Sequence, residues 1–232
     1  MIQKGLQRLR WVFSKVKLAF EMFPVFYAGL YFLFYLPAFS LLETYRQPLY
    51  IVHCWLDDVI PFNEYFVIPY FLWFLFVPGF IVYLSLRSLA DYWKAYKIVF
   101  GGMTICLCLY LLFPTGLQLR QPIERTNLCA QMVNALRSVD TPSNVCPSIH
   151  VSSTVGILLT LFRSKKLHDT WKIKIPAAVL GVLICVSTVM LDQHSIIDVI
   201  LGIVLSTVLC GLAEQNQEEG AAARSAVNPT AG

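Results

Sequence analysis

Apolar residues are concentrated in six long runs along the chain, and polar residues are largely confined to the segments between these runs. A helix needs roughly 20 mostly apolar residues to cross about 30 Å of hydrocarbon, so the pattern predicts membrane-spanning helices. Prolines inside the first two runs are compatible with this, because neighbouring helices can satisfy the carbonyl groups that proline leaves free. The predicted spans cover residues 18–42, 65–86, 98–113, 149–162, 175–191 and 195–212.

This pattern predicts an all-α membrane protein, organised as a six-transmembrane helix bundle. A basic N-terminal segment covers residues 1–17, the membrane domain covers residues 18–212, and a polar tail that we expect to be disordered covers residues 213–232. Of the 232 residues, 57% are hydrophobic and 14% are charged, a balance rarely found in soluble domains of this length. The composition therefore supports a membrane bundle over a soluble domain.

The basic residues are distributed unevenly among the polar segments. Most of the 18 Lys and Arg residues lie in the N-terminal segment and in the connections after the second and fourth predicted spans. Because cytoplasmic loops carry an excess of Lys and Arg, both termini are expected to be cytoplasmic, and we expect a plasma-membrane location. No dense basic tract with interleaved aromatics occurs, which argues against a nucleic-acid partner. The opposite side holds Arg46, Arg120, Arg125 and Arg137.

The seven cysteines show no pattern that predicts a metal site, because no Cys/His cluster has the spacing of zinc ligands. Four of them lie inside apolar runs and are interpreted as small core residues. Three lie in polar connections, where a disulfide between Cys129 and Cys146 is an open possibility.

Two polar motifs interrupt the apolar pattern at the ends of predicted spans. The stretch NVCPSIHVSS (residues 144–153) places His150 at the start of the fourth span. The stretch STVMLDQHSIIDVILG (residues 187–202) places His194 and Asp198 four residues apart, on one face of a helix. An acid inside an apolar span is costly and usually has a partner, and a carboxylate beside an imidazole fixes its tautomer. A purely structural contact between helix ends is the alternative interpretation.

The two histidines, the carboxylate and the loop arginines converge on one predicted face of the membrane. This combination suits phosphoryl chemistry without a metal ion. One imidazole can attack phosphorus, the other can protonate the leaving oxygen, and arginines can hold the phosphate.

These residues resemble the motifs of the integral-membrane type 2 phosphatidic acid phosphatase superfamily. That superfamily carries Lys-x6-Arg-Pro, Pro-Ser-Gly-His and Ser-Arg-x5-His-x3-Asp. The second motif reads PSIH at residues 147–150, and the third reads ST at residues 187–188, followed by His194 and Asp198 at the same spacing. The first is degraded, because Gln121 separates the arginine from the proline and Phe113 stands near the lysine position.

Three features are closer to one branch of this superfamily, which includes inositol phosphorylceramide synthases and related bacterial proteins. Ile149 replaces the motif glycine, Thr188 replaces the motif arginine, and the stretch DTPSNVCPSIH precedes the fourth span. The resemblance covers about half of the chain, from the third span to the sixth.

The resemblance implies a catalytic role for three residues. His194 corresponds to the nucleophile that forms a phosphohistidine, and Asp198 corresponds to the carboxylate that orients it. His150 corresponds to the general acid for the leaving group. It implies no metal and no cofactor.

The resemblance also implies a set of phosphate contacts. Ser148 and Arg120 correspond to phosphate-binding positions. Thr188 stands where an arginine is usual and offers one neutral hydroxyl without a bidentate charge. We therefore expect Arg125 or Arg137 to compensate, with a solvated loop charge as the alternative interpretation of either residue.

The expected function is a lipid phosphatase that hydrolyses a lipid phosphate or diphosphate at the non-cytoplasmic face. The bilayer and this lipid substrate are the expected partners. If a hydroxyl substrate attacks instead of water, the protein is a lipid headgroup phosphotransferase. A non-catalytic transporter or scaffold that keeps the fold is a third hypothesis, motivated by the degraded first motif and by Thr188.

Overall fold

The computed structural model describes residues 23–227, and most of these residues are helical. The all-α prediction is confirmed for this part of the chain. Two short strands, β1 (Tyr50–Ile51) and β2 (Thr115–Gly116), pair in parallel, and a single 3-10 turn covers Glu64–Phe66. The α-helices of the described residues are α1 (Val25–Tyr45), α2 (Val67–Arg87), α3 (Leu89–Leu112), α4 (Leu128–Val139), α5 (Ile149–Arg163), α6 (Trp171–Met190) and α7 (Ile196–Val227).

Five helical segments within residues 23–227 are long and apolar enough to cross a membrane. They are α1, α2 with its preceding turn, α3, α6 and the first part of α7. The fourth predicted span forms α5, which has 15 residues and is therefore roughly 22 Å long. This is shorter than the hydrocarbon layer, so the six-span prediction is supported for five segments. Helix α5 instead packs among α2, α3, α6 and α7 as a central element.

Two helices extend beyond the apolar runs that predicted them, and an ion pair joins the additional segments. Helix α3 begins at Leu89 rather than at residue 98, and its Lys94 Nζ lies 2.5 Å from Glu214 Oε1. Helix α7 continues to Val227, so residues 213–227, expected to form part of a disordered tail, are helical. Glu214 also pairs with Arg163 at 2.8 Å, which neutralises charge at this end of the bundle. The basic segment over residues 1–17 lies outside the described residues.

Helix α4 lies in a connection where the sequence pattern predicted only a loop. It is amphipathic and buries Val133 and Leu136 in a small apolar cluster with Val67, Tyr70 and Leu191. This packing connects the long connection before α5 to α2 and to the turn after α6. The helix was missed because its apolar stripe is short and lies among polar residues.

Two glycines allow α5 to approach its neighbours closely. A Cβ atom at Gly156 would lie 2.8 Å from Ile98 Cγ2 of α3. A Cβ atom at Gly202 would lie 2.9 Å from the Ser148 carbonyl oxygen. Such distances are shorter than van der Waals contact, so the absent side chains permit the packing. Gly202 thereby brings α7 against the start of α5.

Candidate active site

The start of α5 is fixed by Ser148 and by the backbone of α7. The Ser148 hydroxyl accepts a hydrogen bond from Val151 N at 3.4 Å, which satisfies one of the free N–H groups of the first helical turn. The Ser148 N–H donates to the Asp198 carbonyl oxygen at 3.1 Å. These bonds hold His150, on the first turn of α5, beside the helix that carries Asp198.

The turn between α6 and α7 positions His194. The backbone N–H groups of Gln193 and His194 both donate to the Thr188 carbonyl oxygen at 3.0 Å. Asp192 has a positive φ of 56°, a left-handed conformation that L-residues seldom adopt and that Asp tolerates better than most. The chain therefore reverses direction within a few residues and presents His194 at the start of α7.

Asp57 caps α7 from the connection between α1 and α2. Its carboxylate accepts from the Ser195 hydroxyl at 2.7 Å and from Ile196 N at 2.9 Å. Burial pushes the Asp57 pKa upward, but the hydrogen bonds from Ser195, Ile196 and Cys54 outweigh it, and the pKa is lowered overall. Nothing in the sequence pattern distinguishes Asp57 from the other acidic residues of its connection.

The His194 imidazole faces the Asp198 carboxylate. The Nδ1 atom lies 3.4 Å from Asp198 Oδ2, and the same oxygen accepts from Ser195 N at 2.9 Å. Asp198 is fully buried, and its Oδ1 has no hydrogen-bond partner among the described residues. Because Nδ1 faces the carboxylate, Nε2 is the nitrogen that remains for bond formation.

His150 and His194 come together from two different helices. Their ring centroids are 5.8 Å apart, with an angle of 60° between the ring planes. The rings of Tyr70 and Trp73, both on α2, lie 4.6 and 4.3 Å from the His150 ring. Trp73 Nε1 donates to Ser153 Oγ at 2.9 Å, which fixes the indole. Neither aromatic residue was predicted as part of the site, because both lie in an apolar run that predicts only a membrane span.

Arg120 reaches the turn that carries His194 from the connection after α3. One terminal nitrogen donates to the Asp140 carbonyl oxygen at 2.7 Å, and the other donates to Gln193 Oε1. Tyr70 donates to Asp140 Oδ2 at 2.7 Å, so Asp140 joins Arg120 to the aromatic wall around His150. Burial lowers the Arg120 pKa from its usual high value, and Asp140 opposes this shift.

Arg137 and Arg125, which the sequence analysis left as alternatives, occupy different places. Arg137 donates to the Leu191 carbonyl oxygen and to Asp192 Oδ2, both at 3.1 Å. It therefore lies at the turn that carries His194. Arg125 is largely exposed and pairs with buried Glu64 in the 3-10 turn that precedes α2.

The hydroxyl groups of the other two predicted phosphate contacts are used by their own helices. Thr188 Oγ1 donates to the Cys185 carbonyl oxygen at 2.7 Å, and Ser148 Oγ caps α5. Both side chains are fully buried. The backbone of each residue, rather than its hydroxyl, makes the contacts that join the elements of the site.

Glu43, at the end of α1, organises the loop that leads into α5. Its carboxylate accepts from Ser143 Oγ and from Asn144 Nδ2, both at 3.1 Å, and from Thr141. Asn144 has a positive φ of 54°, which an asparagine tolerates well. The sequence stretch between Asp140 and Asn144 is thus held by one carboxylate from a distant helix.

A cavity of about 480 Å³ opens beside the turn that carries His194. Asp57 and Asp192 form part of its wall, whereas neither His150 nor His194 does.

Cys129 and Cys146 are free thiols in this structure, so the disulfide considered from the sequence is not formed. Within residues 23–227, no group of three or more His, Cys, Asp or Glu side chains is arranged to hold a metal ion.

No family model, no curated protein and no solved structure matches this chain. The chemistry of the site is therefore inferred from the side chains that the fold brings together.

Proposed function

We propose that this chain is a membrane-embedded lipid phosphatase that hydrolyses a lipid phosphate or diphosphate through a phosphohistidine at His194. The observation that carries this proposal is the 5.8 Å separation of the His150 and His194 rings, with the Asp198 carboxylate at Nδ1 of His194. Two imidazoles in this arrangement can act on one phosphoryl group, one as the nucleophile and one as the acid.

The first step is attack by His194 on phosphorus. Asp198 favours the tautomer in which Nδ1 carries the proton, which leaves the Nε2 lone pair free. As the bond from Nε2 to phosphorus forms, the phosphorus–oxygen bond to the leaving group breaks and its electron pair moves to that oxygen. His150 donates a proton to the departing oxygen. The imidazolium charge that develops on His194 is stabilised by Asp198.

The second step is hydrolysis of the phosphohistidine. His150, now neutral, accepts a proton from a water molecule as the water oxygen attacks phosphorus. The bond from phosphorus to Nε2 breaks and returns its electron pair to His194. Inorganic phosphate leaves, and both histidines regain their initial protonation states.

A hydroxyl-bearing lipid in place of water would make the protein a headgroup phosphotransferase. This second candidate is favoured by Thr188, whose buried hydroxyl donates to its own helix and leaves the usual arginine position without a charge. The motif stretch before α5 also resembles that branch. The same histidines would serve both reactions, because only the acceptor differs.

We place the site at the non-cytoplasmic face of the plasma membrane. Arg163 and Lys94 pair with Glu214 at the end of α5 opposite to His150. The connection that follows Arg163 is rich in lysine, as cytoplasmic loops are. A phosphate at the other membrane surface would then reach His150 while its acyl chains stay in lipid.

The test is phosphate release by purified protein in detergent, with chelator and a panel of lipid mono- and diphosphates. We expect wild type to release phosphate and His194→Ala to release none. The control variant His168→Ala should release phosphate like wild type, because His168 is exposed in the connection that follows α5. A parallel arm with a hydroxyl-bearing lipid as acceptor distinguishes transfer from hydrolysis. A folded wild type that neither releases nor transfers phosphate would contradict the proposal.

A further inference from the structure

Gln193 is a buried residue at the site whose side chain the proposed mechanism does not use. It precedes His194 in the chain and is only 2% exposed. Its carboxamide oxygen accepts a hydrogen bond from an Arg120 terminal nitrogen. No sequence motif pointed to it, because the resemblance places no functional residue at this position.

The contact with Arg120 determines which way the amide of Gln193 points. A guanidinium group has only donors, so the carboxamide oxygen must face Arg120 and the NH2 group must face away from it. That Nε2 atom is buried and has no hydrogen-bond partner among the residues that the structure describes. Buried donors are nearly always paired, so an unpaired one beside a nucleophile indicates a place for an acceptor.

Other buried nitrogen atoms are also unpaired at the same site. His150 Nε2 is also buried and lacks a hydrogen-bond partner within residues 23–227. By contrast, the terminal nitrogens of Arg120 are engaged with Asp140 and Gln193, and the Thr188 hydroxyl is engaged with its own helix. The Nε atoms of Arg120 and Arg137 are likewise buried and unpaired within residues 23–227, whereas each terminal nitrogen of Arg120 already donates one hydrogen bond.

We propose that the Gln193 side-chain NH2 group donates a hydrogen bond to a non-bridging oxygen of the phosphoryl group that His194 attacks. Arg120 is then a positioning residue, which holds the amide through Oε1, instead of the direct phosphate ligand that the motif implies. Gln193 supplies part of what the arginine at the Thr188 position would supply. This inference rests on the proposed function for the identity of the ligand, a phosphoryl group.

The variant Gln193→Glu tests this role without removing the contact to Arg120. A glutamate still offers Arg120 an oxygen, but it replaces the NH2 donor with a second oxygen that repels phosphate. Loss of one such donor at a transition state typically reduces kcat roughly 100- to 1,000-fold. We expect kcat/KM of the variant to be at least about 10-fold below that of wild type at neutral pH. The ratio of variant to wild type should rise in acid, because the glutamate gains a proton there and can donate again.

The matched control is Gln131→Glu, on the exposed side of α4, which adds the same charge away from the site. It should leave both kcat/KM and its pH profile unchanged. A Gln193→Glu variant with the kcat/KM of wild type would overturn the inference while leaving the proposed function intact.

A double-mutant cycle tests the positioning role of Arg120. If Arg120 acts through Gln193, Arg120→Ala together with Gln193→Ala should reduce kcat/KM by much less than the product of the two single effects. Fully multiplicative effects would show that Arg120 binds the phosphoryl group independently, and would overturn its assignment as a positioning residue.

A binding measurement separates failure of this inference from failure of the proposed function. Orthovanadate, a phosphate analogue, should raise the thermal unfolding temperature of detergent-solubilised wild type, and should do so much less for Gln193→Glu. If the wild type proves inactive, the proposed function fails. If orthovanadate raises the unfolding temperature of wild type and Gln193→Glu equally, or raises that of neither, the role of Gln193 is overturned as well.

Discussion

His150 and His194 are chemically identical side chains that lie in different surroundings. His194 faces a carboxylate, which stabilises its tautomer and any positive charge it acquires. His150 lies against the rings of Tyr70 and Trp73, which exclude water from it. At the scale of single residues, the carboxylate supports His194 as the nucleophile, which leaves the acid role to His150.

The acid role predicts a dependence on the leaving group. We expect His150→Gln to reduce turnover of a lipid alkyl phosphate by roughly 100- to 10,000-fold, because an alkoxide leaves poorly without a proton. The loss should be much smaller for an aryl phosphate, whose phenolate leaves readily. Phosphate release from the two substrates gives the comparison. Equal losses on both would contradict the role of His150 as the acid.

The carboxylate behind His194 makes a separate prediction. Asp198→Asn keeps the shape of the side chain but removes the charge that stabilises the imidazolium. We expect kcat to fall by as much as about 10,000-fold, as when the triad aspartate of a serine protease is changed to asparagine. Activity within a few-fold of wild type would favour the alternative in which Asp198 only joins helix ends.

At the scale of elements, the start of α7 is where the two halves of the site meet. Asp57 caps the helix from one side, and the Ser148 N–H binds the Asp198 carbonyl oxygen from the other. Gly202, one turn further along, allows the close approach to α5. The geometry of the histidine pair therefore depends on residues that lie outside the pair itself.

The Asp57 cap predicts a pH-dependent contribution to stability. The folded-state pKa of Asp57 lies below its ordinary value of 3.8, so its contribution to stability is present above about that pH and is lost as the pH falls through the lower folded-state pKa. Asp57→Ala should be less stable by about 1–2 kcal/mol at neutral pH, a drop of a few degrees in Tm. The difference in Tm from wild type should narrow in acid.

The neighbouring Asp58, exposed and paired with His53, provides the control for this measurement. Asp58→Ala should change Tm little, because exposed ion pairs contribute little stability. A difference between wild type and Asp57→Ala that stays constant with pH would show that the ionised carboxylate is not what stabilises α7.

A pair of glycines on α7 tests the contact between α5 and α7. Gly202→Ala places a methyl group 2.9 Å from the Ser148 carbonyl oxygen, so the helices must separate and the histidines with them. Gly211→Ala, on the same helix, meets nothing within 4 Å. We expect activity to fall more than 10-fold in the first variant, since small displacements at a catalytic site cost about 100-fold, and to persist in the second. Equal activity in both would contradict the structure of this contact.

At the scale of the whole molecule, charged side chains lie at both ends of the bundle. The pairs of Lys94 and Arg163 with Glu214 lie at one end, and Arg120 and Arg137 lie with the histidines at the other. Charged side chains at the two ends of an apolar bundle are what a protein that crosses a membrane several times requires, because a charge within the hydrocarbon layer is costly.

Cysteine labelling tests the orientation that we propose. Val139 is 81% exposed at the end of α4, and Lys165 is exposed in the connection after α5. A membrane-impermeant maleimide added to intact cells should label Val139→Cys and not Lys165→Cys, each compared with the unmodified chain. The reverse pattern would place the histidines on the cytoplasmic side.

Much of the helical fold could be predicted from the sequence, because long apolar runs leave the backbone no alternative to helix in a membrane. Their ends were less predictable. Lys94 and Glu214 lie inside helices because each neutralises the other, and neither residue alone indicates such a partner. Helix α5 was predicted as a span from its apolar residues, yet it has only 15 residues and packs among four other helices.

By itself, the sequence determined the helical class, the spacing that places His194 and Asp198 on one face, and the position of His150 at a helix start. These are local properties, governed by hydrophobic periodicity and by the geometry of one helical turn. Only the tertiary structure decided which groups surround the histidines. Tyr70 was one aromatic residue among many, and Arg125 and Arg137 were equivalent in the sequence. Contacts between residues far apart in the chain depend on how helices pack against one another, and no single segment contains that information.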